Sequence, residues 1–187
     1  MMKGKYNKLF IIGNGFDRWY GLPTSYDEFK KYYRANIKHI VTKLRIKTTV
    51  NAGGDLITPV ELIFGDIAKP ISLPDEFFWN FENETALLDD QKLITQFDKT
   101  NRGLYRLQET VREAQEILQT AFGEWVRSIN IEPKEAGYRF TNDCYFINFN
   151  YTDTLEKCFD VEVASVDHIH GESEDPESYS IWTCHAS

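Results

Sequence analysis

Two glycines flank one asparagine, Gly13-Asn14-Gly15, directly after the apolar run Leu9 to Ile12. A glycine pair at the end of a strand lets the backbone turn close to a bound phosphate, with the free N–H groups of the next helix pointing at it. The dinucleotide fingerprint asks for a third glycine three residues later, where this chain has Arg18, so the loop alone reads as readily as a plain strand-ending turn. Far along the chain stand Asn148 and Asn150, either side of Phe149, and then Asp167, His168 and His170. Imidazole titrates near neutral pH, so His170 can take a proton without unusual tuning. An amide at Asn150 can hold a water or a hydroxyl in place for it. A blander role fits as well, since either asparagine can cap the helix that follows. On an extended segment His168 and His170 would point the same way and, with Asp167, imitate a metal site; the sequence supplies no further ligand, and no metal is expected.

The elements that must carry these residues follow from periodicity. Leu9-Phe10-Ile11-Ile12 reads as a strand buried on both faces, the first of a parallel sheet. Ser25 and Glu28 have capping-box spacing, and Tyr26, Phe29, Tyr33, Ile37, Ile40 and Leu44 then recur every three or four residues, predicting a helix from about Ser25 to Arg45. From Thr48 to Pro74 glycines and prolines break up short apolar pieces, which predicts irregular chain or an inserted lobe. The aromatic cluster Phe77 to Glu82 starts a helix against the core. Leu104, Leu107, Val111, Ala114, Leu118, Ala121, Trp125 and Ile129 keep one apolar stripe, so the clearest helix runs from about Arg102 to Ile129. Cys144 to Phe149 is a second buried strand, with Thr152 or Asp153 capping the next helix. Val161 to Val166 is a third strand and Tyr179 to Thr183 a fourth. In this order Gly15, Asn150 and His170 all lie just past the carboxyl ends of strands, where open α/β sheets collect their ligands.

Thirteen Phe, ten Tyr and four Trp among 187 residues are more ring surface than an unfolded chain could leave in water, so a packed core is expected. A net charge of -8 argues against broad attraction to nucleic acid or to an anionic membrane. Against that balance, Lys30, Lys31, Arg34, Lys38, Lys43, Arg45 and Lys47 bring seven positive charges with no acidic residue among them. A solvated helix face accounts for them, and contact with nucleic acid or an acidic protein surface is the alternative. Cys144, Cys158 and Cys184 are too few for a disulfide framework, and the amino-terminal apolar run is too short for a signal peptide or a membrane span. Reduced thiols and a cytoplasmic location are expected.

The longer run Gly13-Asn14-Gly15-Phe16-Asp17, then Gly21-Leu22-Pro23-Thr24-Ser25-Tyr26 and Asp27-Glu28-Phe29, resembles the first motif of the AbiH family of bacterial phage abortive-infection proteins. The resemblance returns at Trp79 to Glu82, at Phe146-Ile147-Asn148-Phe149-Asn150-Tyr151-Thr152-Asp153 and at His168-Ile169-His170-Gly171. More distantly these blocks are similar to the SIR2-like NAD-binding domains, with Asn150-Tyr151 on the asparagine of a strand-ending Asn-Tyr-Asp and His170-Gly171 on a His-Gly pair. Thr152 stands where that wider group often has Asp, and Asp17 where many relatives carry Ser.

The resemblance implies an α/β domain over residues 1–187, a Rossmann-like (SIR2-like) parallel sheet with a mostly helical insertion at 47–140, ending short of the strand and helix with which the family's domain usually continues. It implies NAD as substrate or ligand, with Gly13, Asn14, Gly15, Phe16, Asp17, Gly21, Pro23 and Tyr151 binding it and Asn150 and His170 catalytic. In glycosidic cleavage of NAD the ribose anomeric carbon becomes cation-like, so a site needs an amide for the water or ribose hydroxyls and a base for the proton. Asp17 would steady the developing charge or hydrogen-bond a loop amide, while Asn148 and His168 are expected to matter little. The implied function is an anti-phage effector that hydrolyses NAD to nicotinamide and ADP-ribose, answering to a phage-derived trigger or partner protein. An uncovered strand at Tyr179 to Trp182 predicts a homo-oligomer. The rivals are a non-catalytic nucleotide sensor and a nucleic-acid-binding protein using the basic helix.

Overall fold

The computed structural model describes residues 6–65, 73, 77–78, 101–133 and 138–170. The chain divides into two units, Met1–Ser25 with Gly123–Ser180, and Tyr26–Phe122 with Ile181–Ser187. The expected strand at Tyr179 to Thr183, and the motif residues Trp79 to Glu82 and Gly171, lie outside the described residues.

In the first unit β1 (Lys8–Ile12), β4 (Cys144–Asn148) and β5 (Val166–His168) form a parallel sheet in the order β1-β4-β5. Parallel neighbours need long crossovers. The one from β1 to β4 includes Tyr26–Phe122, and the one from β4 to β5 holds a helix, α5 (Thr154–Phe159), and a 3-10 turn at Val163–Ser165. Helices set around a parallel sheet make this an α/β unit.

One face of the sheet closes a core. Ile12, Cys144 and Phe146 bury against Leu155 of α5, with Phe10, Phe16, Phe140, Val161 and Val166 packed around them. The Phe10 and Phe146 rings stack 5.4 Å apart, and Phe140 meets Phe146 edge-on at 4.8 Å. Leu9 and Ile11 point the other way, in register with Tyr145 and Ile147, and are 60% and 71% exposed. The expectation that β1 is buried on both faces is therefore corrected. An unbroken apolar run shows that a strand forms; how many faces are covered depends on the helices that pack on it.

The third strand is also displaced from its expected place at Val161 to Val166. Asp160 turns the chain at φ 54°, and Ser165 donates its N–H to the Glu162 carbonyl at 2.8 Å, winding Val163–Ser165 into the 3-10 turn. Extended chain begins only at Val166, which puts His168 in the strand. A short helix, α1 (Asn14–Tyr20), follows β1 directly and is too brief for periodicity to reveal. It ends at Gly21 in the left-handed region, φ 92°, with the Gly21 and Leu22 N–H groups capping the Arg18 and Asp17 carbonyls.

In the second unit α2 (Tyr26–Lys43) buries Phe29, Tyr33, Ile40 and Val41. A hairpin of β2 (Thr49–Val50) and β3 (Leu56–Ile57) leads into α3 (Pro59–Phe64), in the stretch where irregular chain or an inserted lobe was expected. Turn chemistry builds both. Asn51 Oδ1 accepts from the Gly53 and Asp55 N–H groups at 2.9 and 2.8 Å, and Thr58 forms a capping box with Glu61 around Pro59 at the first helical position. Phe77 and Phe78 are both buried, and Phe78 lies edge-on to Phe29 and Tyr33 at 6.0 and 5.8 Å. The long helix α4 (Asn101–Ser128) begins in this unit and ends in the first, within one residue of its expected bounds. Among the described residues no helix is long and apolar enough to cross a membrane.

Candidate functional site

Register aligns the ends of the three strands. Ile12 pairs with Asn148, and Asn148 with His168, so β1, β4 and β5 stop in one row. Two further backbone bonds continue the ladder past it, Phe149 N–H to the Ile12 carbonyl at 2.8 Å and Ile169 N–H to the Asn148 carbonyl at 3.0 Å. The segments that follow, Gly13 to Asp17, Phe149 to Asp153 and Ile169 to His170, therefore leave the sheet side by side.

Asp17 and Thr152 join the first two of these segments. The Thr152 hydroxyl donates to Asp17 Oδ2 at 2.5 Å across a sequence separation of 135 residues, and lies 3.0 Å from the Thr154 hydroxyl. Asp17 is 1% exposed, Asn150 4% and Thr152 3%. Burial raises the Asp17 carboxyl above its ordinary value of 3.8, while Thr152, Thr154 and Asn150 pull it back down and Asp153 adds to the rise. The other oxygen, Oδ1, is buried with no hydrogen-bond partner. A carboxyl kept dry with one acceptor unused is what a ligand hydroxyl or a developing positive charge would meet.

The third segment brings His170 against the second. Its ring stacks on Tyr151 at 5.1 Å and meets Phe149 at 5.9 Å, leaving it half-buried. His168 does not share that face. It turns inward, its Nε2 2.7 Å from Glu156 Oε1 and its Nδ1 3.5 Å from Asn148 Nδ2. The expected alignment of the two histidines fails because the chain turns after His168.

The remaining expected site residues divide by what they do locally. Gly13 is extended, φ -135°, and caps α1 with no side chain, while Gly15 lies within α1; a Cβ on either would meet nothing within 4 Å. Their glycines thus leave exposed space at the start of α1. Asn14 Oδ1 accepts from the Thr24 hydroxyl at 2.6 Å, tying α1 to the following loop. Phe16 packs its ring on Phe159 at 5.3 Å, as part of the core. Gly21 serves the left-handed turn, and Pro23 after it is exposed. The structure thus gathers Asp17, Asn150 and Thr152, sets Tyr151 with His170, and gives Asn14, Phe16 and Gly21 structural work. Thr154 and Glu156 were not singled out as site residues; the alternation of Thr152, Thr154 and Glu156 after a strand was the available signal. A separate cleft lined by Phe140, Thr141, Cys144, Asp160, Glu162 and Ser165 opens at the amino end of β4 and includes none of the candidate site residues.

No curated protein and no solved structure matches the chain. The model of the family described as bacteriophage abortive infection AbiH matches residues 9–182, a span that takes in all three strand ends and every residue of the candidate site, and the chain belongs to that family.

Proposed function

We propose that this phage abortive-infection protein binds NAD at the carboxyl edge of the β1-β4-β5 sheet and hydrolyses it, removing the cofactor from an infected cell. The observation that carries the reading is the Asp17–Thr152 hydrogen bond, which holds the loops after β1 and β4 together around a buried carboxyl with one oxygen unused. The same pair supports the likeness to SIR2-like domains. That likeness implies a hydroxyl residue at position 17 and a carboxylate at 152; here the carboxyl stands at 17 and the hydroxyl at 152, so one hydroxyl and one carboxyl still face each other. The open space over Gly13 and Gly15 suits a diphosphate. In the reaction the nicotinamide nitrogen leaves with the glycosidic electron pair, a water oxygen held by Asn150 bonds to the anomeric carbon, and the water's proton passes to His170. The products are nicotinamide, ADP-ribose and a proton. Asp17 faces the cation-like ribose, and Tyr151 holds the His170 ring in place by stacking.

The test is nicotinamide release from NAD by the purified full chain. Asn150→Ala and His170→Ala should each lower turnover by at least about 100-fold, the low end for losing a general base. NAD binding, measured by calorimetry, should survive better than turnover, since neither residue contacts the phosphates in this reading. Binding without release would establish a nucleotide sensor in its place. Neither binding nor release would remove the site reading altogether.

A further inference from the structure

Asn148 and His168, expected from the sequence to matter little, lie at the centre of a buried run of polar contacts. One neighbour fixes the Asn148 amide: the Asn150 backbone N–H lies 3.0 Å from it, and because an N–H only donates, the atom facing it is Oδ1. The Nδ2 end is therefore turned toward the Thr152 carbonyl at 3.4 Å and His168 Nδ1 at 3.5 Å. Across the imidazole, Nε2 lies 2.7 Å from Glu156 Oε1, so Nε2 carries a proton. With an NH2 group before it, Nδ1 is the bare, accepting nitrogen. Asn148 is 1% exposed and the His168 side chain 4%, so little water can take over a lost partner. Glu156 Oε2 is buried with no hydrogen-bond partner, which leaves the carboxylate to act on the ring through Oε1.

We infer that Glu156, His168 and Asn148 form a positioning relay: Glu156 on α5 selects the Nε2–H form of His168, and the bare Nδ1 holds the Asn148 amide in the orientation that fixes the loop Asn150 to Thr152. None of the three is a catalytic residue. The relay acts through the Asn150 N–H and the Thr152 carbonyl, and so on the two side chains that meet Asp17. Its purpose rests on the reading of Asn150 as a site residue, but its test needs no turnover.

Two-bond proton–nitrogen correlation spectra of the wild-type protein read the ring directly. A proton on His168 Nε2 and none on Nδ1 near neutral pH is the expected result; a proton on Nδ1 in the folded protein overturns the relay. Two variants then separate its halves, because His168→Asn keeps an acceptor at the Nδ1 position and His168→Gln keeps a donor at the Nε2 position. Hydrogen exchange of the Asn150 amide should speed up about tenfold in His168→Gln, the worth of one hydrogen bond, and stay within about threefold of wild type in His168→Asn. The Phe149 amide, bonded to Ile12, is the internal control and should not change. Equal acceleration in both variants, or none in either, overturns the proposal. Should His168→Gln fail to fold, the wild-type ring spectrum and His168→Asn decide. All of these outcomes are independent of whether NAD is cleaved. Where it is cleaved, kcat should fall in His168→Gln with KM held and return in His168→Asn.

Discussion

Asp17 shows how a single side chain sets function against stability. Its carboxyl is buried, and its folded value is raised above the ordinary 3.8 chiefly by that burial. The sign follows from proton counting: between 3.8 and the raised value the folded state holds a proton that the unfolded state releases. The stabilisation from this group is complete below 3.8 and is lost as pH rises through the raised value. Asp17→Asn should therefore flatten that limb of the stability curve and leave the protein no less resistant to urea at neutral pH, while abolishing NAD binding in the proposed site. Thr152→Val should act oppositely. It deprives a buried acceptor of its donor without changing side-chain volume much, at a cost of about 1–3 kcal/mol at neutral pH. The cost should shrink in the Asp17→Asn background, since the two residues share one bond. Urea melts of the four proteins across pH check both statements.

Elements were legible in proportion to their length. The stripe from Leu107 to Trp125 runs over many turns, and its helix emerges within a residue of expectation; α1 and α3 span too few turns to show a period. Those short pieces are set by single contacts, such as the Asn51 turn and the Thr58–Glu61 box, which count for little in a hydrophobic pattern. The candidate site was legible where a motif marks a strand end, as at Gly13 to Asp17, Asn150 and His170. The contacts of His168 with Asn148 and Glu156 were not, because they depend on the β4–β5 register, and β5 begins five residues later than the valines suggest. The one-sided burial of β1 makes its own prediction. Leu9→Thr and Ile11→Thr, on the exposed face, should change stability by no more than about 0.5 kcal/mol each. Phe146→Ala, on the buried face of β4, should cost about 3–5 kcal/mol. Similar losses on both faces would mean that the exposed one is covered in solution. In α1, Gly15→Ala should leave the fold intact, since no neighbour stands where its Cβ would go, while weakening any ligand that approaches the backbone there.

For the whole molecule, the charge of -8 and the basic stretch on α2 pull in opposite directions. Lys31, Arg34 and Lys38 are exposed, and Lys31 pairs with Glu28 at 2.5 Å, as on a solvated helix face. Retention of RNA or DNA should therefore be absent at physiological salt, and filter binding that persists with a steep salt slope would favour the nucleic-acid rival instead. The homo-oligomer expected from the strand at Tyr179 to Trp182 falls outside the described residues, and light scattering of the wild-type chain tests it. The molecule also carries its own stopwatch. Cys144 is the first residue of the middle strand, 3% exposed, with a free thiol 3.4 Å from the Thr141 hydroxyl. Although Cys144 lines the cleft at the amino end of β4, its side chain is nearly covered, so with Cys158 and Cys184 replaced by serine the labelling rate counts the openings of β4 that bare it. Any small molecule that clasps the loops after β1 and β4 must slow that count, about a hundredfold at 100 times its Kd if it binds the closed sheet alone. Candidate ligands could thus be ranked by how long they keep one sulfur atom hidden, before anyone knows what reaction they undergo.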